Sequence, residues 1–307
     1  MTFLDWVETT KKSLELLGLR RGLSFSLNEL YTGLLRRSGR IWNYGTSVYE
    51  EDWDVLIVLD ACRPDVLEHL SQEYIFLPET VSTYHSPGSQ SLEWMNKTFL
   101  EKYDVDIDRT AYITANVFSG KLDHSRFALV DEVWQYASDT SLGTVPPEAV
   151  TDRAIQTLRE QTYDRAIVHY LQPHQPYRSM QGLGPVTFDL DHTTVPDSAL
   201  NRLQQGRLEF DDIWEAYADN TRWVLDSVET FLKNTDAQRV VITADHGEAL
   251  GEWWCFGHPA HALLPILKTV PWVCTSASDT GAHEPSVIPG DERLDEESVE
   301  KFLAELG

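Results

Sequence analysis

Two carboxylates and an imidazole stand where apolar runs of this chain end. Val240-Val241-Ile242-Thr243-Ala244 leads into Asp245-His246-Gly247-Glu248, and Val55-Leu56-Ile57-Val58-Leu59 leads into Asp60. Each run reads as a buried strand that delivers its polar end to the carboxyl edge of a sheet, where ligand sites of open α/β folds lie. Asp60, Asp245 and His246 then form a hard-to-borderline donor set suited to a divalent cation, zinc, manganese or magnesium. One Asp at a strand end is commonly a helix cap. Three candidate ligands at two such ends point to a metal.

The elements that must position these residues follow from hydrophobic pattern and punctuation. After Asp60, Pro64 suits the first turn of a helix running to about Ser71. The loop Thr83 to Ser91 carries several hydroxyls and leads into a helix from about Leu92 to Tyr103. Strands are predicted over 111–116 and 165–171, with an irregular stretch at 117–145 and a helix that follows Pro146-Pro147 and runs to about Gln161. A Gly/Pro/Asp-rich excursion covers 179–197. Ile213, Trp214, Tyr217, Val224, Val228, Phe231 and Leu232 mark a long helix that feeds the Asp245 strand. A strand near Val270–Cys274 and a short acidic helix end the chain. Strands alternating with helices predict an α/β fold with a mostly parallel sheet.

Residues 1–45 read as a separate helical leader. Ser26-Leu27-Asn28-Glu29 has the form of a capping box, and Leu27, Leu30, Tyr31, Leu34 and Leu35 mark one face up to Gly39. Seven basic and four acidic residues give the leader 7 − 4 = +3, so the body at 46–307 carries −24 − 3 = −27. One reading packs the leader on the acidic body, with Arg36 and Arg37 serving the helix C-terminus. The other lays it against anionic lipid, as a peripheral contact.

With 307 residues and 42% hydrophobic content, the chain can bury a full core. Its charge of −24 disfavours nucleic acid, because phosphate backbones are repelled. Cys62, Cys255 and Cys274 are odd in number and lack C-x-x-C spacing, so no disulfide framework or cysteine zinc site is indicated. A reducing, cytoplasmic setting fits, peripheral to the membrane if the leader meets lipid. No signal peptide or membrane-spanning run is read from the sequence.

In their order along residues 53–275, Val-Leu-Ile-Val-Leu-Asp60, the hydroxyl loop before a helix, Gln172-Pro173-His174-Gln175-Pro176-Tyr177, and Asp245-His246-Gly247-Glu248-Ala249-Leu250-Gly251-Glu252 with Gly257-His258 resemble the alkaline phosphatase superfamily, in its sulfatase-like branch. The last block is similar to that of phosphoethanolamine transferases acting on lipid A. The resemblance implies an alkaline-phosphatase-like sheet with helices on both faces. It also implies a Ser, Thr or modified Cys at a helix N-terminus that is both metal ligand and nucleophile. Ser89 best fits that position, with Ser91 the alternative. His174 and His258 are implied as substrate-facing groups that steady anionic oxygens, protonate the leaving alkoxide or bind a second cation. His85, His169 and His261 have weaker warrants, and Arg63 and Arg178 are candidate anion clamps.

Cys62-Arg63-Pro64 resembles part of a sulfatase C-x-P-S-R motif, but it follows the first metal carboxylate by two residues and Val66 stands where that motif needs arginine. That tilts the expectation from sulfate to phosphate esters. Leu59 stands where sulfatases pair a second aspartate, and Gln172 stands where an acidic ligand would help. One metal site, zinc favoured, is therefore expected, with a second only if histidines supply it. The expected activity is metal-dependent hydrolysis of an anionic phosphate ester through a phosphoseryl enzyme. The alternatives are transfer of a phosphoryl headgroup to lipid or glycan, and a metal-binding relative without turnover.

Overall fold

Strand β1 (Val55–Leu59) is buried over its whole length, as its unbroken apolar sequence requires. Its side chains alternate between two cores. Val55, Ile57 and Leu59 join one, while Leu56 and Val58 join the other. Burial of such side chains stabilises the fold by roughly 1.5–3 kcal/mol each relative to exposure.

The structure is a computed structural model that describes residues 3–139, 141–180 and 198–289. The excursion expected at 179–197 lies outside these residues except for Ser179 and Met180, and the acidic helix expected at the end of the chain lies outside them altogether. The strands are β2 (Thr83–His85), β3 (Thr110–Thr114), β4 (Leu129–Glu132), β5 (Arg165–Tyr170), β6 (Ala237–Thr243), a small hairpin of β7 (Ala249–Leu250) and β8 (Phe256–Gly257), and β9 (Thr269–Ala277). β1 through β6 and β9 build a seven-stranded sheet in the order β2-β9-β6-β1-β5-β3-β4, of which β6-β1-β5-β3-β4 are parallel. β9 runs antiparallel to both β6 and β2. β4 lies inside the stretch expected to be irregular; its Leu-Val-Asp-Glu sequence is too short and too polar to show periodicity.

Helices cover both faces. Helix α2 (Pro64–His69), the helix Pro147–Glu160 and the long helix Phe210–Leu232 bury Val66, Leu67, Val150, Ile155, Ile213, Val224 and Val228 on one side. On the other, α3 (Ser91–Thr98) contributes Trp94 and Met95, which pack with Phe99, Tyr103 and Tyr112. Cys62 belongs to the first core and its thiol is pushed up by burial, which removes it from the chemistry.

The leader forms α1 (Phe3–Ile41), broken at Gly18, where φ is 77° and ψ 169°. The Trp6 indole donates to the Ser26 carbonyl at 2.8 Å, so the first arm folds back along the second. Ser26 therefore lies inside the helix instead of capping its start. The expected apolar face does not pack as one. Leu27, Leu30 and Leu34 are exposed, and Leu35 is half-buried against Ala249, Cys255, Ala262, Leu264 and Leu267. The side turned to the body carries Asn28 instead, its amide donating to the Trp254 carbonyl, while Ser26 is buried where its carbonyl meets the Trp6 indole.

Candidate metal centre and nucleophile

The parallel register assembles the first donor set. Val58 pairs with Thr243, so two residues further on Asp60 and Asp245 face one another at the carboxyl edge of β1 and β6. Ala61 takes a left-handed turn (φ 61°), and its amide donates to Asp245 Oδ1 at 3.2 Å. The His246 amide donates to the same oxygen at 2.9 Å. Asp60 Oδ2 accepts from the Asn116 amide at 2.9 Å. That leaves Asp60 Oδ1 and Asp245 Oδ2 buried with no hydrogen-bond partner among the described residues, a costly state for carboxylate oxygens unless a cation meets them.

His246 completes the set. Its Nδ1 lies 2.9 Å from the Gly247 carbonyl, to which it donates, so Nε2 turns its lone pair to Asp60 Oδ1 at 3.4 Å and Asp245 Oδ2 at 3.5 Å. One donor atom from each of Asp60, Asp245 and His246 lies within 4.8 Å of the others. Burial and the nearby Asp245 charge push Asp60 well above the usual carboxylate range. Asp245 is pulled up by its own burial, yet His246 and His169 hold it below that range. A divalent ion between the two carboxylates would offset both the burial and their mutual repulsion. Donor chemistry, burial and the two orphaned oxygens fit a metal.

The serines separate cleanly. Ser91 opens α3, and its Oγ stands 3.2 Å from Asp60 Oδ2 and 3.3 Å from His246 Nε2. Ser89 Oγ faces another way, donating to the Pro259 carbonyl at 2.9 Å and accepting from the Ala262 amide at 3.0 Å. Its amide donates to Glu93 Oε2 at 3.1 Å. Ser91 turns into the helix while Ser89 stays in the loop before it, so the hydroxyl beside Asp60 and His246 is that of Ser91, and Ser89, the residue expected as nucleophile and metal ligand, lies apart from that set.

Beside this set lies a second. His174, Glu248 and His258 each place one donor atom within 4.8 Å of the others. The His246 and His258 rings are 4.5 Å apart and the His174 and His258 rings 4.9 Å. His258 Nδ1 lies 3.1 Å from Glu248 Oε1. Burial lowers His174 to about 4, with the His258 charge adding to the effect. Burial also opposes the charged form of His258, but Glu248 outweighs it and raises that imidazole. Glu248 itself, pushed up by burial, is held low by His258 and His174.

Glu248 is the residue that sequence reasoning passed over, although it sits in the Asp245-His246-Gly247-Glu248 run. Asn116 also went unassigned, and its signal was only its place at the end of a predicted strand. His169, a weak candidate, is buried under the site with Nδ1 2.8 Å from the Tyr112 hydroxyl and Nε2 3.6 Å from Asp245 Oδ2. His85 sits in β2 beside Tyr44, and His261 pairs with Glu93, so neither joins either set. The expected anion clamps are consumed elsewhere. Arg63 binds Asp65 and Glu252 at 2.6 and 2.7 Å, and Arg178 binds Asp219 at 2.8 Å.

No protein-family model matches the chain, and no curated protein matches it. Solved structures do. The C-terminal periplasmic domain of the phosphoethanolamine transferase EptC from Campylobacter jejuni is 16% identical over 76% of this chain and 80% of that one, with a TM-score of 0.45. The soluble domain of lipooligosaccharide phosphoethanolamine transferase A from Neisseria meningitidis is 14% identical over 76% and 79%, with a TM-score of 0.46. A protein in the alkaline phosphatase superfamily from Vibrio parahaemolyticus is 13% identical over 87% and 72%, with a TM-score of 0.39. These neighbours belong to the group that the motifs resemble. At such identities and scores, residue roles rest on this chain's own side chains. Among the described residues, no helix is long and apolar enough to cross a membrane.

Proposed function

We propose that the chain is a metal-dependent phosphoester hydrolase or transferase that works through Ser91. The observation that carries this reading is the Ser91 hydroxyl seated against Asp60 and His246, beside two buried carboxylate oxygens that have no other partner. A cation held by Asp60, Asp245, His246 and Ser91 would supply a lowered hydroxyl pKa and charge stabilisation at the phosphoryl oxygens. Zinc suits the mixed carboxylate and imidazole donors, with manganese or magnesium as alternatives.

In the proposed reaction, Ser91 Oγ attacks phosphorus, and its proton passes to Asp60 Oδ2, which already accepts its hydrogen bond. The Oγ–P bond forms as the P–O bond to the leaving alkoxide breaks. His258, whose imidazole Glu248 raises, donates to that alkoxide, with the His174 ring 4.9 Å away. Water or an acceptor alcohol then resolves the phosphoserine. A second reading, in which His174, Glu248 and His258 hold a second cation, is favoured by the convergence of their donor atoms. Metal content decides between them: one ion per chain supports the proton donor, and two support the second cation.

The test compares Ser91→Ala with Ser89→Ala on aryl phosphate monoesters and diesters, with zinc, manganese or magnesium supplied. Ser91→Ala is expected to lose at least roughly 1,000-fold in turnover, and Ser89→Ala less than about tenfold. Retained activity in Ser91→Ala would sink the nucleophile. Metal binding without turnover or phosphoserine over the whole ester panel would favour a relative that has lost catalysis.

A further inference from the structure

One row of leucines on the second arm of the leader points away from the protein. Leu19, Leu23, Leu27, Leu30, Leu34 and Ile41 are all exposed, with Leu19 at 70% and Leu34 at 58%. At 100° per residue they fall within an arc of roughly 80° on one helix face. Three tryptophans extend the apolar surface. Trp42 follows the helix, while Trp253 and Trp254 are exposed in the hairpin loop beside it. The loop is fastened to the leader by the Asn28 amide on the Trp254 carbonyl and by a Tyr31–Trp254 ring contact of 6.1 Å. Both loop tryptophans sit at positive φ, 55° and 56°, a backbone state that costs a bulky side chain energy. The chain thus holds two indoles outward against local preference.

Charge selects the occupant of this face. Lys11, Arg20, Arg36, Arg37 and Arg40 are exposed on α1, with Glu15 the exposed acid among the described side chains of that helix up to Gly39. Arg20 and Arg37 border the leucine arc. The leader carries +3 and the remainder −27, so an anionic surface is repelled by the body and attracted at the leader. We propose that the exposed face of α1, with Trp42, Trp253 and Trp254, docks on an anionic lipid bilayer. Leucines enter the acyl boundary, indoles sit at headgroup depth and arginines meet lipid phosphates. The docking is independent of the reaction at Ser91 and is read without turnover.

The test is flotation of the full chain with phosphatidylcholine vesicles, with and without phosphatidylglycerol, alongside light scattering of the protein alone. The chain is expected to float with the anionic vesicles, less at high salt. Leu23→Asp/Leu30→Asp/Leu34→Asp, which changes only exposed positions, is expected to reduce the partition at least roughly 100-fold. Arg36→Gln/Arg37→Gln/Arg40→Gln, which keeps the leucines and guards against misfolding of the first variant, is expected to reduce it roughly 100-fold on anionic vesicles. Three results would overturn the proposal. One is no flotation with either vesicle. Another is flotation unchanged in the aspartate variant. The third is a dimer that fails to float and becomes monomeric in that variant, which would assign the stripe to contact between copies of the chain.

Discussion

Gly247 separates His246 from Glu248 and so links the two donor sets. A Cβ at Gly247 would lie 2.2 Å from the Ile266 carbonyl oxygen and 3.3 Å from its carbon. Ordinary contact begins at 3.4 Å, so Gly247→Ala must open this approach by 3.4 − 2.2 = 1.2 Å. The Gly247 amide also donates to the Leu267 carbonyl at 2.8 Å, and separating the two segments breaks that bond. Overpacking of this kind costs about 1–3 kcal/mol and the lost hydrogen bond about 1 more. The expected fall in melting temperature of the cation-free protein is about 3–6 °C. Movement of His246 and Glu248 by about 1 Å is expected to lower turnover roughly 100-fold and weaken metal binding with it. Melting curves, metal titration and ester turnover measure the three effects. Gly120→Ala is the control, since its Cβ would meet nothing closer than 3.7 Å. Wild-type metal affinity and turnover in Gly247→Ala would refute the claim that this approach sets the ligand geometry.

Adding zinc or manganese at 100 times its dissociation constant is expected to stabilise the protein by about 2.7 kcal/mol, seen as a raised melting temperature that Asp245→Asn or His246→Ala abolishes. The Asp152 carboxylate is pushed up by burial but held below its ordinary value by the Ser286 and Val287 amides, the Ser286 hydroxyl and His283. A depressed folded pKa gives stability that is present above the unfolded value near 3.9 and lost as pH falls through the folded one, so acid melting curves should steepen below about pH 4. Asp152→Ala should lose about 2 kcal/mol at neutral pH and flatten that limb. Arg63→Met should cost about 2 kcal/mol by calorimetry, less than a fully buried pair because Asp65 and Glu252 keep solvent contact.

Much of the sheet and the first donor set, Asp60, Asp245 and His246, could be read directly from residues. β1 and β6 are apolar runs that end in carboxylates, and parallel pairing of such strands places Asp60 and Asp245 together. The direction of β9 was not legible, because an apolar run carries no sign of its polarity in a sheet. Ser91 and Ser89 differ by two residues at a helix start, where the backbone turns from extended to helical, and sequence does not fix that phase. Glu248 acquires its place from His174 and His258, which arrive from the β5 loop and the β7–β8 hairpin. Leucine spacing in the leader marked a helix, which the structure forms over Phe3–Ile41. It could not show which face meets the protein, since Asn28 fastens its own side of the helix to Trp254 and Gln204.

The end of the leader has little freedom to vary independently of the body. A Cβ at Gly39 would fall 1.8 Å from the His261 carbonyl oxygen, and one at Gly45 would fall 2.2 Å from that of Ser86. Those two loops flank the segments bearing His258 and Ser91. If natural chains exchanged this helix for another segment, the join would have to fall before Gly39, and both glycines would travel with the body as part of its inheritance.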